Sequence, residues 1–257
     1  MIKFCLFLIL IIQISFSQIP DQIPKTNILY RVFRIKYGEF AGTSFTLEDS
    51  SRQYLITAKH VLNGIQPKDS VYIMLNHKQW VKIFVRPIWC KPDTVDIIAL
   101  APEERVSVNF PMVPSSAGVD LGQDVYFFGY PFNMKTEMSD TVYPFPIAAI
   151  RKGILSSADI HDGYQIMNID GTSDHGFSGG PVVFTDLNTK QQKICAVISS
   201  RTDEYDTVYQ GLDSVYYTKK KIPTKYFIEK NAGFISAYNI EPVLEAIRKN
   251  PIGPIVK

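Results

Sequence analysis

Gly176-Phe177-Ser178-Gly179-Gly180-Pro181 places a single hydroxyl in a run that is otherwise glycine, proline and one aromatic residue. Glycines on both sides indicate a backbone path that side chains would obstruct and that allows positive φ. A serine hydroxyl on such a turn, next to free backbone N–H groups, is suited to act as a nucleophile beside an oxyanion hole. The structural alternative is a plain glycine-rich turn between strands. A base and an orienting carboxylate elsewhere in the chain would decide between them.

Short aromatic and β-branched segments surround this turn and predict strands. Tyr30–Ile35 alternates in the manner of a half-buried strand, and Gly38 and Gly42 follow it. Further strands are predicted over residues 43–47, 53–57, 70–75, 79–86, 95–100, 123–129, 147–156, 164–169, 181–184 and 194–200. Many short strands separated by regular turns predict an all-β protein, either a sandwich or a pair of barrels.

Two segments depart from the strand pattern. Pro102–Ser116 is polar, contains further prolines and is predicted to connect two strand-rich halves. Ile240–Lys249 carries apolar residues on one helical face and is predicted to form a C-terminal α-helix capped by Asn239.

The N-terminus has the pattern of a secretory signal peptide. Lys3 precedes the apolar run Phe4–Phe16, and Ser15-Phe16-Ser17 supplies small residues at the end. The run is shorter than the roughly 20 residues of a comfortable bilayer span, so an uncleaved anchor is the less favoured alternative. We therefore expect residues 1–17 to be removed and the product to be secreted or periplasmic, with no membrane partner after cleavage.

The charge balance indicates which partners are not expected, and the cysteine content bears on whether the chain has a disulfide. The chain has 27 basic and 25 acidic residues, a balance that argues against nucleic acid or an acidic membrane surface as the main partner. Cys90 and Cys195 remain after signal cleavage, and an exported chain could pair them. Because each lies beside apolar or aromatic residues in a different half, we expect two separate buried thiols.

Four histidines are available as the base that Ser178 requires. His60 follows the apolar strand that ends at Thr57 and precedes Val61-Leu62, where a structural histidine is the plain alternative. The other three are less suitable. His77 and His161 lie in polar turns, and His175 lies inside the serine loop itself.

Asp96 is the best candidate for the carboxylate that orients the base. It begins Asp96-Ile97-Ile98-Ala99-Leu100, and a carboxylate directly against an apolar strand is expected to have a partner. Asp93, after a proline, has the pattern of an ordinary turn residue. A strand-end cap is the alternative role for Asp96.

Together these stretches resemble the motifs of a known family. Thr57-Ala58-Lys59-His60, Asp96–Leu100 and Gly176–Pro181 are similar to the three motifs of trypsin-like serine peptidases, in the His, Asp, Ser order of the chymotrypsin fold. Phe128-Gly129-Tyr130-Pro131 and Gly42-Thr43-Ser44-Phe45 fit the compact bacterial branch related to the HtrA protease domain. The resemblance covers residues 28–249.

The resemblance implies two antiparallel six-stranded β-barrels, a C-terminal helix and a site in the cleft between the barrels. The expected division is residues 18–118 for the first barrel, 119–238 for the second and 239–257 for the helix and tail. His60 would act as general base and then general acid, Asp96 would orient it, and Ser178 would attack the substrate carbonyl. The backbone N–H groups of Gly176 and Ser178 would form the oxyanion hole.

Substrate preference is left open by the sequence. By the resemblance, Thr172 stands where relatives place the residue at the floor of the primary pocket, and Asp170 and Asp174 either enter that pocket or cap the loop backbone. Phe177 is expected to shape the leaving-group side or to pack into the cleft. The substrate backbone is expected to pair with the strand that carries Ala196, Val197, Ile198 and Ser199.

The tyrosine-rich segment 201–233 is either a specificity loop over the pocket or a solvated insertion, and its Lys219–Lys221 run favours a solvated loop. No Cys/His cluster has the spacing of metal ligands and no phosphate-binding loop is present, so neither metal nor cofactor is expected.

The leading prediction is an exported serine endopeptidase that cleaves polypeptide substrates through an acyl-enzyme. A protease-fold binding protein without turnover is the second hypothesis, and a β-domain with an accidental set of motifs is the third.

Overall fold

The computed structural model describes Pro24 and residues 26–75, 79–108, 112–133, 146–210 and 222–256. The predicted signal peptide, His77 and Lys219–Lys221 lie outside the described residues. The strands are β1 Val32–Tyr37, β2 Phe40–Asp49, β3 Arg52–Ala58, β4 Asp69–Leu75, β5 Gln79–Trp89, β6 Ile97–Pro102, β7 Val113–Pro114, β8 Asp124–Gly129, β9 Ala149–His161, β10 Tyr164–Asp170, β11 Pro181–Thr185, β12 Gln192–Gln210 and β13 Ile222–Asn239. The helices are α1 Thr26–Leu29 and α2 Glu241–Lys249.

The first six strands close into an antiparallel barrel in the order β1-β2-β3-β6-β5-β4. Inward-facing residues along each strand fill its interior with apolar side chains such as Phe33, Leu55, Val71 and Ile98, all fully or almost fully buried. β3 and β6 pair inside this barrel from Leu55 to Ala58. Because the predicted base follows β3 and the predicted carboxylate precedes β6, this pairing carries both to one end of the barrel.

The second sheet forms a ring. Its order is β11-β8-β9-β10-β13-β12, and β11 also pairs with β12, which joins the two ends. This arrangement confirms the predicted chymotrypsin-like fold. One detail was wrong: the segment 102–116 is not wholly a connection, since β7 pairs in parallel with β12 at Lys193 and Ile194 and adds a seventh strand to the second sheet.

The described part of the segment 201–233, which was expected to be a specificity loop or a solvated insertion, is made of strands, and many of its side chains are exposed. It consists of the outer halves of β12 and β13, which pair with each other from Asp203↔Asn231 to Thr207↔Phe227. β13 leaves its other neighbour β10 beyond the Asp170↔Phe234 pair. The two strands therefore continue beyond the ring as a two-stranded ribbon.

The C-terminal helix packs against the first barrel. Val243, Leu244 and Ile247 are buried, and Arg248 at its last turn is ion-paired with Asp49 at 2.9 Å. The predicted cap was wrong: Ile240 is the N-cap residue, and no side chain caps the helix. The Ile240 N–H donates instead to the Cys195 carbonyl at 2.8 Å, so the helix start is fixed by the second sheet.

Cys90 and Cys195 are free and buried, as expected. Burial raises the pKa of each thiol to about 12, which keeps both protonated and unreactive at neutral pH.

The two barrels meet at the glycine-rich loop. A Cβ on Gly179 would lie 2.1 Å from the Thr43 carbonyl oxygen and 2.3 Å from Thr57 Oγ1, both in the first barrel. A Cβ on Gly180 would lie 2.0 Å from the Phe128 carbonyl oxygen. Real Cβ atoms do not approach other atoms so closely, so the loop reaches its position only because these residues have no side chain.

Gly179→Ala is expected to destabilise the fold more than a substitution at a glycine with the same backbone angle. Gly179 has φ +84° and is enclosed, whereas Gly64 has φ +85° and a Cβ added there would meet nothing within 4 Å. Both substitutions incur the cost of a left-handed backbone, about 1–2 kcal/mol. The overlap with Thr43 and Thr57 adds roughly 1–3 kcal/mol at Gly179 alone.

Denaturant unfolding of both variants measures this difference directly. Equal losses in the free energy of unfolding for Gly179→Ala and Gly64→Ala would show that the loop is not pressed against the first barrel.

Candidate active site

His60 lies in a short 3-10 turn, Lys59–Leu62, that directly follows β3. Its ring Nδ1 is 2.7 Å from Asp96 Oδ2, and its backbone N–H donates to Asp96 Oδ1 at 2.9 Å. A carboxylate beside Nδ1 favours the tautomer in which Nδ1 carries the proton. The other ring nitrogen, Nε2, is then left to accept a proton, and the half-exposed side chain gives it access to the cleft.

Asp96 receives three hydrogen bonds at the start of β6. Besides the two from His60, the Ser199 hydroxyl donates to Oδ2 at 2.6 Å. Burial alone would raise the pKa of Asp96, but these hydrogen bonds and the neighbouring His60 hold that pKa below its ordinary value. The carboxylate is therefore ionised at neutral pH and able to stabilise a positively charged imidazole.

Ser199 has a role that the sequence did not indicate. It was expected only to line the substrate pocket, yet its hydroxyl bonds to Asp96 and its carbonyl accepts from Ser178 Oγ at 3.3 Å. The register of β12 against β13 shifts between Ile198 and Ser200, and Ser199 lies at this irregularity. One residue thus links the carboxylate on the first barrel to the serine on the second.

Ser178 is half-buried in the glycine-rich loop before β11. In the described part of the chain, its hydroxyl bonds to the Ser199 carbonyl and not to His60. The backbone N–H groups of Gly176 and Ser178 donate to no acceptor among the described residues, and Gly176 has φ +109°. Two unoccupied donors therefore accompany the hydroxyl, as the nucleophile hypothesis requires.

Thr43 of β2 fixes the position of this loop from the first barrel. Its Oγ1 donates to the Gly176 carbonyl at 2.6 Å and accepts from the Tyr130 N–H at 3.2 Å. Its backbone N–H donates to the Ser178 carbonyl at 2.9 Å. The carbonyls of Gly176 and Ser178 are thus held by one fully buried residue that the sequence did not single out as functional, and the Gly176 carbonyl also accepts from the Tyr130 N–H at 3.4 Å.

Phe177 does not face the cleft. Its side chain is completely buried in the second barrel, where its ring packs edge-on against Phe127 at 5.3 Å and beneath the Arg151 guanidinium at 5.1 Å. Gly129 makes this possible, since a Cβ there would lie 2.5 Å from the ring. The expectation that Phe177 shapes the substrate site is therefore corrected: the ring anchors the loop from below.

The predicted pocket residues lie in the loop before Ser178. Thr172 is exposed, and its carbonyl accepts from Arg151 at 2.6 Å. Asp174 was expected to enter the pocket or to cap the loop backbone; among the described residues its carboxylate instead pairs with Arg151 at 2.7 Å and lies 3.8 Å from Arg201. Asp170 is exposed at the end of β10, paired with Phe234 of β13.

Ala196, Val197 and Ile198 are buried and have neighbours on both edges of β12. Val197 pairs with Pro181 of β11 and with β13, and Ile198 exchanges hydrogen bonds with Gly179 and Gly180. The expectation that a substrate backbone pairs with these three residues is therefore wrong, because both edges of the strand are already occupied there. Among the described residues, the β12 edge that β11 occupies up to Val197 has no strand partner from Ser199 onward.

A cavity of about 600 Å³ adjoins His60 on the first barrel. Its lining includes His60 and Asp96 together with the large apolar side chains of Phe40, Leu62 and Trp89. An open space of this kind beside the imidazole can accommodate substrate side chains.

Among the described residues, no group of His, Cys, Asp or Glu could hold a metal ion. The same residues contain no helix that is long and apolar enough to cross a membrane.

Comparison with known proteins agrees with this geometry. Residues 42–188 match the family described as the trypsin-like peptidase domain, and the chain belongs to that family. No curated protein matches the chain significantly.

Solved structures show the same fold at low identity. An inactive form of the Rv3671c protease of M. tuberculosis is 17% identical with a TM-score of 0.53, over 87% of this chain and 90% of that one. The HtrA-type protease AlgW, solved with a tripeptide, is 15% identical with a TM-score of 0.52, over 87% of this chain and 60% of that one. These likenesses establish the fold.

Thr43→Val is expected to lower kcat by roughly 10- to 100-fold, because it removes the side-chain donor that holds the Gly176 carbonyl and so lets the loop shift. Thr46→Val is the matched control: Thr46 is equally buried on the same strand, but its hydroxyl contacts Ser107, away from the loop. Steady-state hydrolysis of a short peptide ester, with unfolding measured in parallel, separates the two effects. An equal loss of kcat in both variants would contradict the role assigned to Thr43.

Proposed function

We propose that this chain is a serine endopeptidase in which His60, Asp96 and Ser178 form the catalytic triad. The observation that carries the proposal is the pairing of His60 Nδ1 with an ionised, triply hydrogen-bonded Asp96, joined through Ser199 to the hydroxyl of Ser178. Membership of the trypsin-like peptidase family supports it.

In the proposed reaction, the Ser178 hydroxyl turns from the Ser199 carbonyl towards His60 Nε2. The imidazole takes the proton as Ser178 Oγ bonds to the substrate carbonyl carbon, and Asp96 stabilises the resulting cation. The N–H groups of Gly176 and Ser178 bind the oxyanion, where each donor contributes roughly 3–4 kcal/mol to the transition state. His60 then protonates the leaving amine, and water releases the acyl group by the same steps.

The proposed substrate is a polypeptide, with neither metal nor cofactor taking part in the chemistry. Its segment next to the scissile bond would occupy the cleft between the barrels, beside the open edge of β12 at Ser199 and the cavity near His60.

A protein of this fold that binds polypeptides without cleaving them is the second candidate. The observation that favours it is the Ser178 hydroxyl, which in this structure is hydrogen-bonded to the Ser199 carbonyl at 3.3 Å. In the first proposal this contact is a resting arrangement that substrate replaces.

We further propose that the chain is exported to the periplasm or the medium after cleavage following Ser17. Expression of the complete chain in a bacterial host, followed by mass determination of the product, tests this. A product that begins at Gln18 and is recovered outside the cytoplasm is expected; an intact N-terminus on a cytoplasmic product would contradict the proposal.

Ser178→Ala is expected to reduce kcat for peptide hydrolysis by about 10⁶-fold, because the nucleophile is lost. Asp96→Asn is expected to cost about 10⁴-fold, since the His60 tautomer would no longer be fixed. Thermal unfolding of both purified variants checks that the fold persists. Unchanged hydrolysis by Ser178→Ala would refute the assignment of the nucleophile.

A further inference from the structure

The outer half of β13 has an edge with no strand beside it in the described part of the chain. β10 pairs with β13 only from Phe234 inwards, whereas β12 pairs with it out to Ile222. In the ribbon, defined here as residues 203–208 and 224–231, the β13 edge that faces away from β12 is therefore unpaired. Unpaired N–H and C=O groups of this kind are a template for another extended chain.

The same edge strand exposes three consecutive apolar residues. Tyr226, Phe227 and Ile228 are 63%, 64% and 52% exposed. Because successive side chains of a strand alternate, Phe227 lies on one face of the ribbon and the other two lie on the opposite face. Tyr205 pairs with Glu229 and so adds a further exposed ring to the Phe227 face. A run of exposed apolar residues on both faces of a ribbon marks a surface that another chain covers.

The sequence of this edge is complementary to itself when one copy is reversed. In Lys225-Tyr226-Phe227-Ile228-Glu229, a basic and an acidic residue stand at equal distances on either side of Phe227. Tyr226 and Ile228, both apolar, stand next to it on either side. An antiparallel copy of the strand therefore presents an acidic residue to the basic one and an apolar residue to each apolar one.

Symmetry restricts how two such strands can pair. A closed dimer of antiparallel strands has its twofold axis perpendicular to the sheet, and directly opposite residues have side chains on the same face. One residue must then lie opposite its own copy. With Phe227 on the axis, Tyr226 lies opposite the partner's Ile228, and Lys225 lies opposite the partner's Glu229.

The neighbouring registers are poorer matches. With Ile228 on the axis, Phe227 would lie opposite the partner's Glu229. With Tyr226 on the axis, Phe227 would lie opposite the partner's Lys225. Each of these places an aromatic ring against a charged group, whereas the register centred on Phe227 places apolar side chains together on both faces.

We propose that two copies of this chain associate through the β13 edge over residues 224–230, antiparallel and with Phe227 on the twofold axis. The product is a four-stranded sheet in which the two β13 strands are central and the two β12 strands are outermost. This inference goes beyond the proposed function and does not depend on it.

The backbone pairing and the apolar pairs carry this contact. Glu229 already pairs with Arg201 of its own chain at 2.7 Å through Oε1, so Lys225 of the partner adds to an existing ion pair. Phe227 makes the largest contribution, because its ring meets the partner's ring across the axis with Tyr205 beside it.

The first test is the mass of the purified protein in solution. A contact between two strand edges is small, so sedimentation is followed up to about 100 μM protein. We expect the mass to double over this range. Phe227→Lys should weaken the association at least about 10-fold, because two like charges then face each other on the axis. Phe84→Lys is the matched control, since Phe84 is similarly exposed on β5 of the first barrel and should not affect the dimer.

The second test fixes the register by cysteine cross-linking. Directly opposite side chains have Cβ atoms about 5 Å apart, within reach of a disulfide, whereas diagonal ones are about 7–8 Å apart and are not. Under mild oxidation Phe227→Cys should form a disulfide between copies, and Ile228→Cys should do so at least about 10-fold more slowly. Cys90 and Cys195 are buried and do not compete.

Three results would overturn the inference. They are a monomer at every concentration, a dimer that Phe227→Lys leaves unchanged, and a disulfide that forms faster in Ile228→Cys than in Phe227→Cys. Reaction of Ser178 with a fluorophosphonate and thermal unfolding, measured on each variant, show that the fold persists. Loss of the fluorophosphonate reaction in every protein, with the dimer intact, would count against the proposed function alone.

Discussion

The contact between Thr43 and the glycine-rich loop is the constraint on which the rest of the site depends. One threonine in the first barrel binds the carbonyls of Gly176 and Ser178 in the second, through its side chain and its backbone respectively. Gly179 permits the approach, since any side chain there would overlap the Thr43 carbonyl. The N–H groups of Gly176 and Ser178, which belong to the neighbouring peptide units, have no protein acceptor in the described structure.

Hydrogen bonds between the two barrels also hold the residues of the proposed triad together. Ser199 of β12 donates to Asp96, and the Tyr238 hydroxyl donates to the Thr94 carbonyl in the turn before Asp96, at 3.1 Å. Thr94 also bonds through its side chain to Asp162 of the β9–β10 turn. The carboxylate is therefore positioned by the second barrel although it belongs to the first. Relative movement of the barrels would disturb Asp96 and the serine loop together.

Local sequence patterns were sufficient to predict the strands and the fold class and to find the three motifs. Alternating apolar residues and glycine-rich turns can be recognised within short segments of sequence. Features that depend on contacts distant in sequence were missed. The burial of Phe177 depends on the absence of a side chain at Gly129, and the bond from Ser199 to Asp96 depends on an irregularity in β12. The ribbon was missed because charged residues interrupt the apolar pattern of 201–210, and its strands pair only with each other.

In this structure the Ser178 hydroxyl donates to the Ser199 carbonyl, whereas an activated nucleophile must transfer its proton to His60. The most direct measurement is reaction of the purified protein with a fluorophosphonate, followed by mass spectrometry of the modified peptide. We expect one stoichiometric adduct on Ser178 that forms at least about 10³-fold more slowly in His60→Ala, since the hydroxyl then lacks its base. No adduct in the folded protein, or an equal rate in His60→Ala, would contradict it.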